Sequence, residues 1–132
     1  MTARIVLLGA SGYTGARTAE ALVARGARPV LAGRNQAKLD PLAERLGGLE
    51  TAVADVTTPG SLAALLGAGD VVVTTVGPFL QLGEPAVHAA VEAGAVYLDS
   101  TGEPPFIRRV FEQHGPRRAR PAHPAAGTAR PW

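Results

Sequence analysis

The sequence contains no cysteine, and Lys38 is its single lysine among 13 basic residues. The lack of cysteine excludes disulfides, thiolate metal ligands and cysteine nucleophiles. With only one lysine, the chain has no Tyr-x-x-x-Lys pair, which argues against the catalytic chemistry of short-chain dehydrogenases. The spacing of its polar residues also matches neither a metal-ligand motif nor a Ser-His-Asp arrangement, so we predict no metal site.

Long hydrophobic runs are also missing from the sequence. No apolar stretch approaches the roughly 18 residues that a membrane span requires. The N-terminus lacks the basic and then apolar layout of a signal peptide, because Met1-Thr2-Ala3 leads directly into an apolar segment. We therefore expect no membrane partner and a cytoplasmic location.

Acidic residues are absent from the end of the chain. The 132 residues carry a net charge of +2, but residues 1–113 hold nine basic and eleven acidic side chains, whereas 114–132 hold four arginines and no acid. The latter stretch also lacks Val, Ile, Leu, Met, Phe and Tyr. We predict a domain over 1–113 and a disordered Arg/Pro-rich tail over 114–132. Four arginines without interleaved aromatics do not predict nucleic-acid binding.

Glycine, by contrast, is placed in a regular pattern near the N-terminus. The apolar run Ile5–Leu8 has the length of a buried parallel strand, and Gly9, Gly12 and Gly15 follow it at three-residue intervals before a helix-compatible segment. A glycine turn into a helix N-terminus can hold a phosphate on unpaired N–H groups. The pattern alone also fits a glycine-rich turn without a ligand.

A basic pair follows the second predicted strand, where an NAD-specific domain usually carries an acidic residue. Arg34 lies 19 residues after Gly15, and Lys38 comes one helical turn later. A guanidinium matches a phosphate bidentately, and a nearby ammonium adds charge. Arg34 therefore predicts a ligand for the 2′-phosphate of NADP, which is favoured over NAD. Lys38 fits the same role or an exposed helix face equally well.

The remaining pattern alternates short strands with helices. It predicts a Rossmann-like α/β fold, a doubly wound parallel sheet of about five strands in the order 3-2-1-4-5. After the first strand and a helix over 14–25, the expected elements are strand 28–32, helix 35–46 with a kink or break near Asp40 caused by Pro41, strand 49–56, a short helix over 58–66, strand 70–76, a loop over 80–83, helix 84–93, strand 95–99 and helix 106–113.

Four stretches of the chain resemble the NADP-binding domain of the saccharopine dehydrogenase-like family, in particular the branch with trans-acting enoyl reductases. They are Gly-Ala-Ser-Gly-Tyr-Thr-Gly (9–15), Ala-Gly-Arg-Asn with Lys38-Leu39 (32–39), Val-Gly-Pro-Phe with Gly-Glu-Pro (76–85), and Tyr-Leu-Asp-Ser-Thr-Gly-Glu (97–103). The resemblance implies that a dinucleotide contacts Gly9, Ser11, Gly12, Tyr13, Arg34, Val76, Gly77 and Pro78.

The resemblance ends near His114, where the family continues into another strand and a second domain. We therefore expect a truncated or frameshifted chain that lacks the family's last strand and substrate domain. The missing strand would leave an exposed sheet edge that favours self-association.

The function expected from these observations is hydride transfer with NADP(H), carried out by a domain that lacks turnover on its own. A non-catalytic NADP-binding or redox-sensing module that acts through a partner protein is the alternative. The substrate is not predicted. Tyr97, Asp99, Glu103 and His114 are the polar groups expected near the carboxyl edge of the sheet, but each also fits a capping, loop or core role, so no catalytic residue is assigned.

Overall fold

The computed structural model describes residues 3–58 and 60–118, and side chains up to residue 115. Among these residues, no helix is both long enough and apolar enough to cross a lipid bilayer. In chain order the elements are β1 (Ile5–Leu8), α1 (Tyr13–Ala24), β2 (Val30–Gly33), α2 (Gln36–Arg45), β3 (Thr51–Val53), β4 (Val71–Thr74), α3 (Phe79–Leu82), α4 (Glu84–Ala93), β5 (Val96–Asp99) and α5 (Pro104–Arg118).

The five strands form one parallel sheet in the order β3-β2-β1-β4-β5, which confirms the predicted Rossmann-like topology. β1 lies at its centre, with Val6 paired to Val30 of β2 on one side and to Val72 of β4 on the other. These three strands consist almost entirely of apolar residues because helices cover both faces of the sheet. The strand order reverses direction beside β1, where open α/β sheets bind their ligands.

Three clusters of buried residues form the core: one lies on each face of the sheet, and a third lies among the helices. On one face, Leu7 and Leu31 pack under α1 and α2 through Ala19 and Leu39. On the other face, the strands pack against α4 and against the turns that precede β4, and a third cluster joins α3, α4 and α5. Phe106 is fully buried in that third cluster, with its ring centroid 5.8 Å from that of Phe79.

The structure corrects two local predictions. Residues 60–65 form successive turns rather than the helix predicted over 58–66; Gly60 has a left-handed φ of +81°, a conformation that an α-helix does not contain, although Leu62 is still buried. The expected loop over 80–83 is largely α3, whose first backbone N–H groups, on Phe79 and Leu80, donate to the carboxylate of Glu103.

Two helices also differ from expectation in their extent. α2 continues through Pro41 without the predicted break; its N-terminus is capped by the Asn35 side chain, which accepts from the N–H of Ala37. α5 extends to Arg118, so residues 114–118 of the predicted tail are helical. The rest of that tail, 119–132, lies outside the described residues, and the division at residue 113 stays a prediction.

Asp70, at the start of β4, joins the amino ends of two strands. Its carboxylate accepts hydrogen bonds from the N–H of Arg4 (3.0 Å) and the N–H of Gly67 (2.9 Å), and Arg4 Nη2 lies 3.4 Å from it. Burial raises the pKa of Asp70, but these bonds and the Arg4 charge outweigh it, so the pKa lies below its ordinary value of 3.8. The ionised carboxylate therefore stabilises the folded state.

We predict that Asp70→Asn lowers the free energy of unfolding at pH 7 by about 1–3 kcal/mol, because a buried charge-assisted network loses its charge. A depressed folded-state pKa contributes stability above pH 3.8 that is lost as the pH falls through the folded-state value. Urea unfolding of both proteins from pH 7 to pH 2 should therefore converge at the acid end. The exposed Asp40→Asn is the matched control, expected within about 0.5 kcal/mol. A pH-independent difference for Asp70→Asn would contradict the prediction.

Candidate functional site

The carboxyl ends of β1, β2 and β4 bring three of the sequence motifs to one edge of the sheet. Because the strands are parallel, the glycine turn 9–15, the Gly33-Arg34 segment and the Val76–Pro78 loop all leave the sheet at this edge. The ten predicted cofactor contacts all lie on segments that meet at, or start from, the same edge: Gly9, Ser11, Gly12, Tyr13, Gly15, Arg34, Lys38, Val76, Gly77 and Pro78. The Gly77–Pro78 peptide bond in the third of these segments is cis.

The glycine turn is held by the strands on both sides of β1. The backbone N–H groups of Gly9 and Ala10 donate to the carbonyl of Ala32 at the end of β2 (3.0 and 3.2 Å). From the other side, the Thr75 hydroxyl donates to the carbonyl of Leu8 (3.0 Å). Gly9 has a φ of +77°, and a Cβ there would lie 2.7 Å from the Thr75 hydroxyl oxygen. Only glycine fits this turn without moving a neighbouring strand.

Gly15 allows α1 to start directly against the glycine turn. A Cβ on this buried residue would lie 1.9 Å from the carbonyl oxygen of Gly9, far inside van der Waals contact. Gly12 is the N-cap of α1, and no side chain among the described residues caps that end of the helix. The first-turn N–H groups and the positive end of the helix dipole therefore remain directed at the carboxyl edge.

Ser11 and Tyr13 lie on the outside of the same turn. Both residues are exposed, and Tyr13 shows 78% of its surface to solvent. The guanidinium carbon of Arg17, one helical turn later, lies 4.5 Å from the centre of the Tyr13 ring. The aromatic ring and the cation thus lie together in the first turns of α1.

Arg34 and Lys38 provide the positive charge at this edge. Arg34 directly follows β2, Lys38 lies in the first turns of α2, and both side chains are exposed. Asp55, after β3, receives hydrogen bonds from the hydroxyl and the backbone N–H of Thr57 (2.7 and 2.8 Å). These bonds lower the pKa of Asp55, and the charge of Arg34 lowers it further. Asp55 thus caps the turn that follows β3.

Glu103 connects the loops that follow β4 and β5. Its carboxylate accepts from the N–H groups of Phe79 and Leu80 at 2.7 and 3.1 Å, so it caps α3 rather than acting as a free acid. Asp99 accepts from the N–H of Thr101 at 3.0 Å and from the hydroxyl of Tyr97 at 2.6 Å. Burial raises the pKa of Tyr97, and the bond to Asp99 raises it further, which keeps the phenol protonated.

His114, on α5, lies in the helical layer and pairs with Glu84 at the start of α4. Its Nε2 is 2.7 Å from Glu84 Oε1, and the imidazole is buried. Among the described residues, the other polar atoms of the pair, His114 Nδ1 and Glu84 Oε2, are buried without a hydrogen-bond partner. The pair holds α5 against α4, and no described side chain combines with it to form a group of three or more metal-ligating residues.

A groove of about 550 Å³ lies away from the glycine turn, between the turns after β3 and helices α3 and α4. Val56, Leu62, Gln81 and the exposed His88 contribute to its walls. None of the ten predicted cofactor contacts lines it. The candidate site is therefore the open edge formed by the three loops and not this groove.

Thr75 and Glu103 hold the loops of the candidate site in place, and the sequence did not predict this role for either residue. Thr75 directly follows β4 in a β-branched run, where only its position after the strand end distinguishes it from its neighbours. Glu103 was expected to cap the last helix or shape its own loop, but its carboxylate reaches 24 residues back to α3. Such a contact depends on the folded topology and has no signal in the local sequence.

Comparison with protein families gives one match that spans nearly the whole chain. The sequence model of the saccharopine dehydrogenase NADP binding domain matches residues 5–129. A trans-acting enoyl reductase of Mycobacterium leprae is 41% identical over 116 residues, which cover 83% of this chain and 28% of the relative. A trans-acting enoyl reductase of Mycobacterium tuberculosis is 40% identical over 114 residues, covering 82% and 27%. The chain spans about a quarter of the length of these curated relatives.

Among solved structures, the apo saccharopine dehydrogenase (L-Glu forming) of Saccharomyces cerevisiae superposes with a TM-score of 0.70. The sequence identity is 24%, and the match covers 83% of this chain and 24% of the yeast chain. At this identity the likeness establishes the fold alone.

We predict that Gly15→Ala and Gly12→Ala have different effects on stability. A methyl group at Gly15 must displace the Gly9 carbonyl, which we expect to cost about 1–3 kcal/mol in the free energy of unfolding. At Gly12, φ is −78° and the added carbon would lie 3.4 Å from its nearest neighbour, so the cost should stay below about 1 kcal/mol. Urea unfolding measures both, and equal costs would contradict the close approach of α1 to β1.

Proposed function

Since the chain belongs to the saccharopine dehydrogenase NADP-binding domain family, we propose that it binds NADP(H) across the carboxyl edge of β1, β2 and β4. The observation that carries the proposal is the uncapped start of α1 beside a glycine turn, with Arg34 at the end of the neighbouring strand. When bound, the nicotinamide supplies the hydride that an oxidoreductase transfers. The chain's own residues bind and orient the dinucleotide.

The glycine turn suits the diphosphate of the cofactor. Gly9, Gly12 and Gly15 carry no Cβ atoms, and where Gly9 and Gly15 meet other elements there is no room for any. The space above the start of α1 is therefore bounded by backbone N–H groups, with Ser11 and Tyr13 exposed at its margin. We propose that these five residues form the diphosphate site, in which the negative charge is stabilised by the positive end of the α1 dipole.

The second strand end suits the phosphate that distinguishes NADP from NAD. Arg34 is exposed there, and no acidic residue occupies the adjoining positions 33–38. The charge of Arg34 lowers the pKa of Asp55, whose Oδ1 already accepts hydrogen bonds from Thr57. We propose that Arg34 binds the 2′-phosphate directly and that Lys38 adds positive charge. NADP is thereby preferred over NAD.

The Val76–Pro78 loop follows β4, on the other side of the point where strand order reverses. A dinucleotide whose adenosine half lies at β2 has its nicotinamide half directed towards this loop. We propose that Val76, Gly77 and Pro78 contact the nicotinamide half, while the carboxylate of Glu103 holds the loop's continuation at Phe79 and Leu80. No catalytic group is assigned to this chain.

The named relatives point to the reaction of the longer proteins. Trans-acting enoyl reductases, by their name, reduce enoyl groups, and this chain corresponds to about a quarter of their length. We propose that this chain provides the cofactor-binding part of an NADP-dependent reductase. Turnover by a complete protein would require substrate-binding residues beyond the carboxyl edge described above.

We predict that Arg34→Ala weakens NADPH binding by about 10- to 100-fold, because a charged hydrogen-bonding partner of a phosphate is lost. NADH has no 2′-phosphate, so its dissociation constant should change less than about twofold. Titration followed by nucleotide fluorescence measures both constants on the full 132-residue chain. Arg25→Ala is the matched control, since this exposed arginine caps the far end of α1.

Two outcomes of this titration separate the parts of the proposal. Equal losses for NADPH and NADH would show that Arg34 does not recognise the 2′-phosphate, although the chain still binds a dinucleotide. A folded wild-type chain that binds neither nucleotide at millimolar concentration would overturn the proposed function itself.

A further inference from the structure

Arg17 is a positive charge beside the candidate site that has no role among the proposed cofactor contacts. It lies on α1, one helical turn after Tyr13, and its side chain is exposed. Within residues 3–58 and 60–118 Arg17 makes no ion pair, and the next acid along α1, Glu20, is paired with Arg45 at 3.0 Å. The guanidinium therefore has N–H donors available for an anion, and it stays charged at any physiological pH.

The Tyr13 ring determines where that charge lies. The guanidinium carbon of Arg17 is 4.5 Å from the centre of the ring, which is the distance of a cation–π contact. Side chains on an α-helix lean towards its N-terminus, so the contact keeps the guanidinium at the first turn of α1. Because Tyr13 is exposed, the charge is held at the surface of the site and is not buried.

The Glu20–Arg45 ion pair shows which side of α1 the Tyr13 ring occupies. Tyr13 lies seven residues, or about two helical turns, before Glu20 and shares its side of α1. Lys38 lies equally far before Arg45 on α2. The two helices run in the same direction, because each connects two strands of a parallel sheet, and both cover the same face. Tyr13 and Lys38 therefore border, from opposite sides, the cleft between α1 and α2 at the carboxyl edge.

The end of β2 borders the same α1–α2 cleft. A Cβ added to Gly33 would lie 3.8 Å from the hydroxyl oxygen of Ser11, so the glycine turn lies close to the end of this strand. Arg34 directly follows Gly33. The mouth of the cleft is thus formed by the first turn of α1, the glycine turn, the end of β2 and the first turns of α2.

Three cations border this mouth: Arg17 from α1, Arg34 from the end of β2 and Lys38 from α2. The segments 9–19 and 30–39, which form the mouth, contain no acidic residue. A phosphate monoester carries a charge of about −1.5 to −2 at pH 7 and has three oxygens that accept hydrogen bonds. A guanidinium on each side of the cleft therefore suits a phosphate monoester better than one guanidinium alone.

We propose that Arg17 is a second guanidinium ligand of the 2′-phosphate of NADP and contributes to the preference for NADP over NAD. This inference rests on the proposed cofactor site and adds to it a residue on the α1 side of the phosphate. Arg34 and Lys38 contact the phosphate from the α2 side. Tyr13 is a positioning residue, because its ring keeps the Arg17 guanidinium at the first turn of α1.

The test compares Arg17→Ala with Arg25→Ala, the matched control, which removes the same charge at the far end of the same helix. Dissociation constants for NADPH and NADH are measured by nucleotide fluorescence on the full 132-residue chain. We expect Arg17→Ala to weaken NADPH binding about tenfold, because a charged hydrogen-bonding partner of the phosphate is lost, and to change NADH binding less than about twofold. Arg25→Ala should change neither constant by more than about twofold.

Substitutions at Tyr13 test how Arg17 is positioned. Tyr13→Phe keeps an aromatic ring and should retain the wild-type ratio of the NADH and NADPH dissociation constants. Tyr13→Leu removes the ring and should lower that ratio about two- to fivefold, as expected for an exposed cation–π contact. In the Arg17→Ala background Tyr13→Leu should leave the ratio unchanged, because the ring then has no cation to hold. Thermal unfolding of every variant verifies that it is folded.

Three results would overturn the inference. The first is an Arg17→Ala chain whose NADPH binding stays within about twofold of wild type. The second is an equal loss for NADPH and NADH, which would assign Arg17 to the diphosphate. The third is an equal loss in Arg17→Ala and Arg25→Ala, which would show an effect of net charge alone. Failure of the proposed function is distinguishable from all three, since the wild-type chain itself would then bind neither nucleotide.

Discussion

The close approach of α1 to the end of β1 is the constraint on which the rest of the site depends. Gly15 lies against the Gly9 carbonyl at a distance that leaves no space for a Cβ, and Gly9 in turn lies against Thr75. This packing puts the start of α1 at the carboxyl edge instead of above the sheet face. The uncapped N–H groups and the dipole end are then available at the point where strand order reverses.

Polar side chains from distant parts of the chain hold this arrangement at both ends of the sheet. Thr75 ties β4 to the end of β1 at the carboxyl edge, and Asp70 ties the start of β4 to Arg4 at the amino edge. β4 is thus fixed beside β1 by hydrogen bonds at each end as well as by its ladder. Glu103 extends the same principle to the loops after β4 and β5. Each of these side chains accepts a hydrogen bond from a backbone group or donates one to it. Satisfied hydrogen bonds of this kind make the positions of the loops rigid.

The sequence predicted those features whose causes are local. The glycine turn and the apolar strands are each decided within a few residues, and the strand order followed from the alternation of strands and helices. The features it missed depend on contacts distant in sequence. α3 requires Glu103, and α5 continues past residue 113 with His114 paired to Glu84, 30 residues earlier. The leucines of the segment predicted as helix 58–66 have helical spacing, but Gly60 has a left-handed backbone conformation, and residues 60–65 form turns instead. For the site, spacing placed Arg34 correctly at a strand end, whereas the support from Thr75 had no sequence signal.

The strands that provide the proposed cofactor contacts are all internal to the sheet. β1 is paired by β2 and β4, β2 by β1 and β3, and β4 by β1 and β5, so each of these strands has a neighbour on both sides. Their loops therefore do not rely on either outer edge for their position. β5 differs in having one open side, and its contribution to the carboxyl edge is indirect, through the loop that holds Glu103.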